Sequence, residues 1–130
     1  MIAERGVANK YFVVSSATST EEIGNPVYPP ARAELARHGI SCDGKRAVQL
    51  KRSDYDKYDL FICMDSRNVQ NMVRMIGGDP DGKIRKLMDV SGRGGDVADP
   101  WYTGNFDVTY RDVFEGCQAL LNKLEKGEEL

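Results

Sequence analysis

Apolar residues fall along this chain in short separated runs that alternate between an extended and a helical spacing. Tyr11-Phe12-Val13-Val14 is aromatic and β-branched and predicts a buried strand, followed by a loop through the polar stretch Ser15-Ser16-Ala17-Thr18-Ser19-Thr20. Pro29-Pro30 suits the first turn of a helix over about Ala31 to His38, and Gly39 stands where a left-handed C-terminal cap belongs. Ala47-Val48-Gln49-Leu50 reads as a short extended piece, and the continuous run Leu60-Phe61-Ile62-Cys63-Met64 as a second strand covered on both faces. Asp65 or Ser66 can cap the next helix, Arg67 to Ile76, in which Val69, Met72, Val73 and Ile76 recur at helical spacing before Gly77-Gly78. Lys83 to Met88 is a third strand candidate. A glycine-rich loop from Ser91 to Asn105 then leads into a final amphipathic helix carrying Phe106, Tyr110, Val113, Phe114, Cys117, Leu120, Leu121 and Leu124.

Strands separated by helices predict an α/β fold built on a parallel sheet with right-handed crossovers. Ligands of such sheets sit beyond the C-terminal ends of the strands, so chemistry is expected in the loops that begin at Ser15, Asp65 and Met88. No repeat, low-complexity tract or linker divides residues 1–130, and a single domain is expected. A chain of this length can bury about two-thirds of its unfolded surface.

Composition narrows the partners. The 18 basic and 20 acidic residues are interspersed and sum to a formal net charge of -2, which gives no reason to expect nucleic acid or an anionic membrane. The start has no apolar signal core and the longest apolar run is far too short to span a bilayer, so a cytoplasmic location is expected. Three cysteines, Cys42, Cys63 and Cys117, imply reduced thiols rather than a disulfide framework.

Several motifs compete for a functional role. Gly77 to Ile84 has the glycine and lysine spacing of a nucleotide-binding loop, but Ile84 has no hydroxyl for magnesium and the segment follows a helix instead of opening one. A capped helix end and turn is the better reading. Gly92-Arg93-Gly94-Gly95 does not satisfy a dinucleotide fingerprint and reads as a flexible loop. The cysteines lack metal-ligand spacing and the single histidine, His38, falls at a helix C-terminus, so neither a metal nor any other cofactor is implied. Cys63 in a strand and Cys117 on an apolar helix face read as small hydrophobes; Cys42 falls in a turn and could be exposed. Asp99 is either a turn acid before Pro100 or an acid held beside the aromatic pair Trp101-Tyr102, where desolvation would raise its pKa toward that of a general acid.

Seven short stretches in order resemble the low-molecular-weight protein tyrosine phosphatases. They are 12–19 (Phe12-Val13-Val14-Ser15 onward), Ile23-Gly24-Asn25-Pro26, Pro30-Ala31-Arg32, His38-Gly39-Ile40, 46–50 (Arg46 to Leu50), 64–68 (Met64-Asp65-Ser66-Arg67-Asn68) and 99–104 (Asp99-Pro100-Trp101-Tyr102-Thr103-Gly104). The resemblance implies a three-layer α/β/α fold on a parallel sheet. It implies Asp99 as the catalytic acid that protonates the leaving oxygen, with Trp101 and Tyr102 as substrate-binding residues beside the ring. Phosphotyrosine or another aryl phosphate would be the substrate.

One departure is chemical. Family phosphatases use a cysteine six residues before an arginine, and here Cys42 is followed at that distance by Val48, Cys63 by Val69 and Cys117 by Lys123. Met1 to Tyr11 resembles the end of the family's first helix, so the family's first strand and phosphate loop are expected to be absent from these residues. The expectation is a family member that is inactive as it stands, because an acid without its nucleophile contributes little. The alternative is a non-catalytic binding or self-association domain; an arsenate reductase would need the same cysteine loop and further thiols. Without the first strand, Tyr11 to Val14 is expected to lack a sheet neighbour, which favours a homodimer through unpaired strand edges. Glu21-Glu22 stands where many family members carry a bulky aromatic residue, implying a more acidic and open wall opposite Trp101.

Overall fold

From its N-terminal side the chain passes through a short 3-10 helix (Ala8–Lys10), helix α1 (Pro29–Arg37), the one-turn helix α2 (Asp54–Lys57) and strand β1 (Phe61–Cys63). Helix α3 (Ser66–Ile76), strand β2 (Ile84–Lys86), the one-turn helix α4 (Leu87–Val90) and the long helix α5 (Phe106–Lys126) follow. This computed structural model describes residues 1, 6, 8–18, 24–97 and 104–128. The architecture is the expected α/β type: β1 and β2 pair in parallel, Phe61 opposite Ile84 and Cys63 opposite Lys86, with α3 as the connection.

Local chemistry sets the helix ends. The Asp65 side chain accepts the Asn68 backbone N–H at 2.7 Å while the Asn68 side-chain oxygen accepts the Asp65 N–H at 3.3 Å, a reciprocal capping box that starts α3. At the end of α1 the Gly39 N–H donates to the Ala36 carbonyl and the Ile40 N–H to the Leu35 carbonyl. Gly39 takes a φ of 72°, the left-handed conformation this paired closure requires and that a side chain would resist.

Successive residues of β1 face opposite ways, and the two faces carry different cores. Phe61 and Cys63 belong to a cluster with Leu50, Tyr55, Met72, Ile76 and Ile84, on the side covered by α3. Ile62 packs instead with Leu87, Met88 and Val97 and with Val113, Cys117 and Leu120 of α5. The sheet is thus sandwiched between helices. Among the described residues Leu87 and Met88 are the most completely buried side chains, each worth about 1.5–3 kcal/mol of transfer free energy. Gly116 of α5 lies directly over Leu87: a β-carbon there would stand 2.5 Å from the Leu87 Cγ.

Three sequence expectations change. Tyr11 to Val14 is not a buried strand: it forms no strand in the described chain, and Phe12, Val13 and Val14 are 77%, 75% and 49% exposed. Neighbouring side chains of an extended segment point to opposite sides, so exposure of all three means that neither face is covered. The run from Lys83 to Met88 is a strand only as far as Lys86; Leu87 and Met88 begin α4, since a buried helical turn and a buried strand present the same continuous apolar run. The Gly92–Gly95 loop is tethered, with the Arg93 Nη1 3.0 Å from both Asp112 and Glu115 of α5. The Ala47–Leu50 piece is extended as expected and contributes a parallel bridge between Ala17 and Gln49.

Candidate functional site at the strand ends

The C-terminal ends of β1 and β2 open side by side, and a small polar cluster joins them. Lys86 ends β2, and its Nζ donates to the Asp96 Oδ1 at 3.0 Å and to the Ser66 Oγ at 3.1 Å. Ser66, the first residue of α3, donates to the same Asp96 oxygen twice, from its backbone N–H and its hydroxyl, each at 3.0 Å. The hydrogen bond from Lys86 holds the Asp96 carboxyl below its ordinary range, and Asp96 in turn raises the Lys86 ammonium. Lys86 is therefore a charged anchor and not a base. The next residue, Val97, is buried in the α5-side core, and its N–H donates to the Met64 carbonyl at 2.9 Å, just past β1.

The loop that follows Val14 is held by the Ala47–Leu50 piece. Ala17 donates to the Val48 carbonyl at 2.8 Å and accepts from the Leu50 N–H at 2.7 Å, fixing it beside the extended piece. An open groove of about 540 Å³ runs along β2, bordered by Ser66, Arg85, Lys86 and Asp89. Its mixed charges select no ligand class. Asp99, Trp101 and Tyr102 lie outside the described residues, as do Pro100, Thr103 and Glu21-Glu22. The stretch that carries the acid is bounded by Val97, in the core, and by Asn105, which precedes α5. Phe106 begins that helix with its ring 6.0 Å from that of Tyr28.

The cysteines are dispersed. Cys63 is buried with its sulfur 3.8 Å from that of Met72, and burial first, then the nearby Asp65 charge, pushes its thiol up. Burial also pushes up Cys117, on the α5 face that meets Leu87 and Met88. Both are held in the unreactive thiol form. Cys42 lies in the turn after α1, partly exposed, where its carbonyl accepts from the Lys45 N–H at 3.1 Å. Among the described residues, no cluster of three or more His, Cys, Asp or Glu side chains is placed to hold a metal ion, and no helix is long and apolar enough to cross a membrane.

The Gly77–Ile84 segment is the capped helix end and turn that its sequence context suggests. Val73 accepts from both the Gly77 and Gly78 N–H groups, and the Asp79 carboxylate closes the turn by accepting from the Lys83 and Ile84 N–H groups at 2.8 and 3.1 Å and from the Tyr55 hydroxyl at 2.6 Å. The Lys83 ammonium is engaged by the Tyr55 carbonyl at 2.7 Å and lies 4.7 Å from that ring's centre. His38 follows the last residue of α1, half exposed, stacked on Tyr110 with ring centres 3.7 Å apart and within 3.2 Å of the buried Glu34.

Sequence reasoning named Ser66 only as a possible cap and missed Lys86 and Asp96. Their pairing joins residues far apart in the chain; the one local hint was Asp96 standing shortly before Asp99 in the glycine-rich loop.

The sequence model described as low molecular weight phosphotyrosine protein phosphatase matches residues 1–130. The low molecular weight protein-tyrosine-phosphatase YfkJ of Bacillus subtilis is 33% identical over 132 residues, which span 100% of this chain and 85% of that protein. PtpA of Staphylococcus haemolyticus, of the same description, is 34% identical over 119 residues, 91% of this chain and 75% of its own. The crystal structure of YfkJ superposes with a TM-score of 0.92 at 33% identity, covering 98% of this chain and 82% of that one. The Streptococcus pyogenes phosphatase SP-PTP gives 0.82 at 36% identity, covering 90% and 75%.

Proposed function

This chain belongs to the low molecular weight phosphotyrosine protein phosphatase family, and from that premise we propose that its substrate class is phosphotyrosine or another aryl phosphate. Asp99 is the general acid in this reading, protonating the leaving phenolic oxygen, and Trp101 and Tyr102 flank the aromatic ring. The 130 residues do not complete the hydrolysis by themselves. The observation that carries this second half is that none of the three cysteines precedes an arginine by six residues, so no thiolate is paired with a cation to receive the phosphoryl group. The raised thiols of Cys63 and Cys117 support it. An acid contributes about 10²- to 10⁴-fold when a nucleophile and fixed phosphoryl donors are present, and has nothing to act on without them.

The test is hydrolysis of p-nitrophenyl phosphate at mildly acidic pH by the 130-residue chain, with Asp99→Asn and Cys42→Ser beside it. The expected result is no turnover above buffer in any of the three. Turnover that disappears in Cys42→Ser would overturn the inactivity, and turnover that survives Asp99→Asn would remove the acid role.

A second reading, self-association, is favoured by the exposed run Phe12-Val13-Val14. Apolar extended segments without a sheet partner are templates for pairing with another chain. Here the occupant is a second copy of this chain. Light scattering that finds only monomer across a hundredfold rise in protein concentration would count against it.

A further inference from the structure

We propose that Lys86, Asp96 and Ser66 form a latch that fixes where the chain leaves the sheet on its way to Asp99, which makes Lys86 and Asp96 positioning residues for that acid. The acid role of Asp99 is the reading given above; the latch stands on residues 64–66, 86 and 96–97 alone. Three donors meet a single oxygen, Asp96 Oδ1: the Lys86 Nζ, the Ser66 N–H and the Ser66 hydroxyl, all at 3.0 Å. The hydroxyl spends its proton on Asp96 and offers its lone pair to Lys86 at 3.1 Å, so it serves both partners in a compatible sense.

Surface ion pairs are usually weak, but this one differs in two respects. The Lys86 side chain is only 17% exposed, so its charge is poorly hydrated and depends on Asp96. Asp96 is also followed at once by an independent anchor, the buried Val97 with its N–H on Met64. Two consecutive residues are thereby pinned to the end of β2, the start of α3 and the end of β1. The latch therefore fixes the point from which the chain sets out toward Asp99, three residues further on in the sequence.

Trp101 is the only tryptophan and stands two residues beyond Asp99, which gives a direct optical readout in the chain as it exists. The experiment measures acrylamide quenching and emission of Trp101 in Asp96→Asn, Lys86→Met, the double variant and Ser66→Ala, with far-UV circular dichroism to verify folding. Lys10→Ala is the control, since it removes an ion pair of similar length to Glu125 elsewhere on the surface. The latch predicts about a twofold rise in quenching in Asp96→Asn and in Lys86→Met, and a smaller rise in Ser66→Ala. The double variant should go no further, because both changes open one contact. Quenching at the wild-type value in both folded single variants, or an equal change in Lys10→Ala, would overturn it. Should Asp96→Asn and Lys86→Met fail to fold, Ser66→Ala decides, since it keeps the ion pair and loses one donor: a smaller rise supports the latch and no change refutes it. Aryl phosphate turnover that survives Asp99→Asn would remove the acid reading and leave this fluorescence result untouched.

Discussion

Asp79 is a short side chain on which a long-range contact is hung. Burial pushes its carboxyl up, but the hydrogen bonds from Tyr55, Ile84 and Lys83, together with the Arg85 charge, outweigh that and hold it below the ordinary carboxylate value. A carboxyl depressed in the folded state contributes stability that is present above its unfolded value, near pH 4, and is lost as pH falls through the lower folded value. Asp79→Asn is therefore expected to cost about 1.5–3 kcal/mol at neutral pH, the range for a hydrogen bond to a charged group, and to flatten the loss of stability below about pH 4. Urea midpoints measured from pH 7 to pH 3 check both; a parallel offset at every pH would contradict the second. At this scale the sequence was legible where a residue acts on its neighbours, as Asp65 does at its own helix end. It was illegible for Tyr55 and Lys86, whose partners lie 24 and 10 residues away.

Between elements, the contact of α4 with α5 rests on the missing side chain of Gly116. Alanine is the better helix former by about 1 kcal/mol, so on propensity alone Gly116→Ala should stabilise α5. Its β-carbon would however meet three carbons of the fully buried Leu87 at 2.5, 2.8 and 3.0 Å, so that Leu87 would have to shift within the core. Overpacking of this kind costs about 1–3 kcal/mol and decides the sign. The expected result is a lower urea midpoint for Gly116→Ala and partial recovery in the pair Gly116→Ala/Leu87→Val; a rise in the single variant would show that α5 shifts freely. The helices themselves were readable because their caps and apolar stripes are local, as with Gly39 after α1 and the stripe of α5. Tyr11 to Val14 was readable in two parts that pulled apart: its composition encodes a preference for sheet, whereas the resemblance, with no first strand in these residues, gave the missing neighbour that leaves it exposed.

Across the whole molecule, the exposed Phe12 to Val14 run sets the expectation for behaviour in solution. Val13→Lys places a charge in the middle of that run and should shift association toward monomer without lowering thermal stability, because the residue is 75% exposed. Light scattering and a melting curve on the same samples separate the two effects, and unchanged association would remove the second copy as the occupant. The α/β class and the loops that bear on the site followed from the alternation of runs, whereas the way β1 and β2 are joined by Lys86, Ser66 and Asp96 could not. That joining depends on a fold in which three distant segments end at one place. The division of β1 between two cores reaches further. A strand of three residues has too few backbone hydrogen bonds to choose its own alignment, yet a slip of one position would send Phe61 and Cys63 toward α5 and Ile62 toward α3. Both cores would then hold the wrong volumes at once, so alignment is proofread from two sides and a single error is penalised twice.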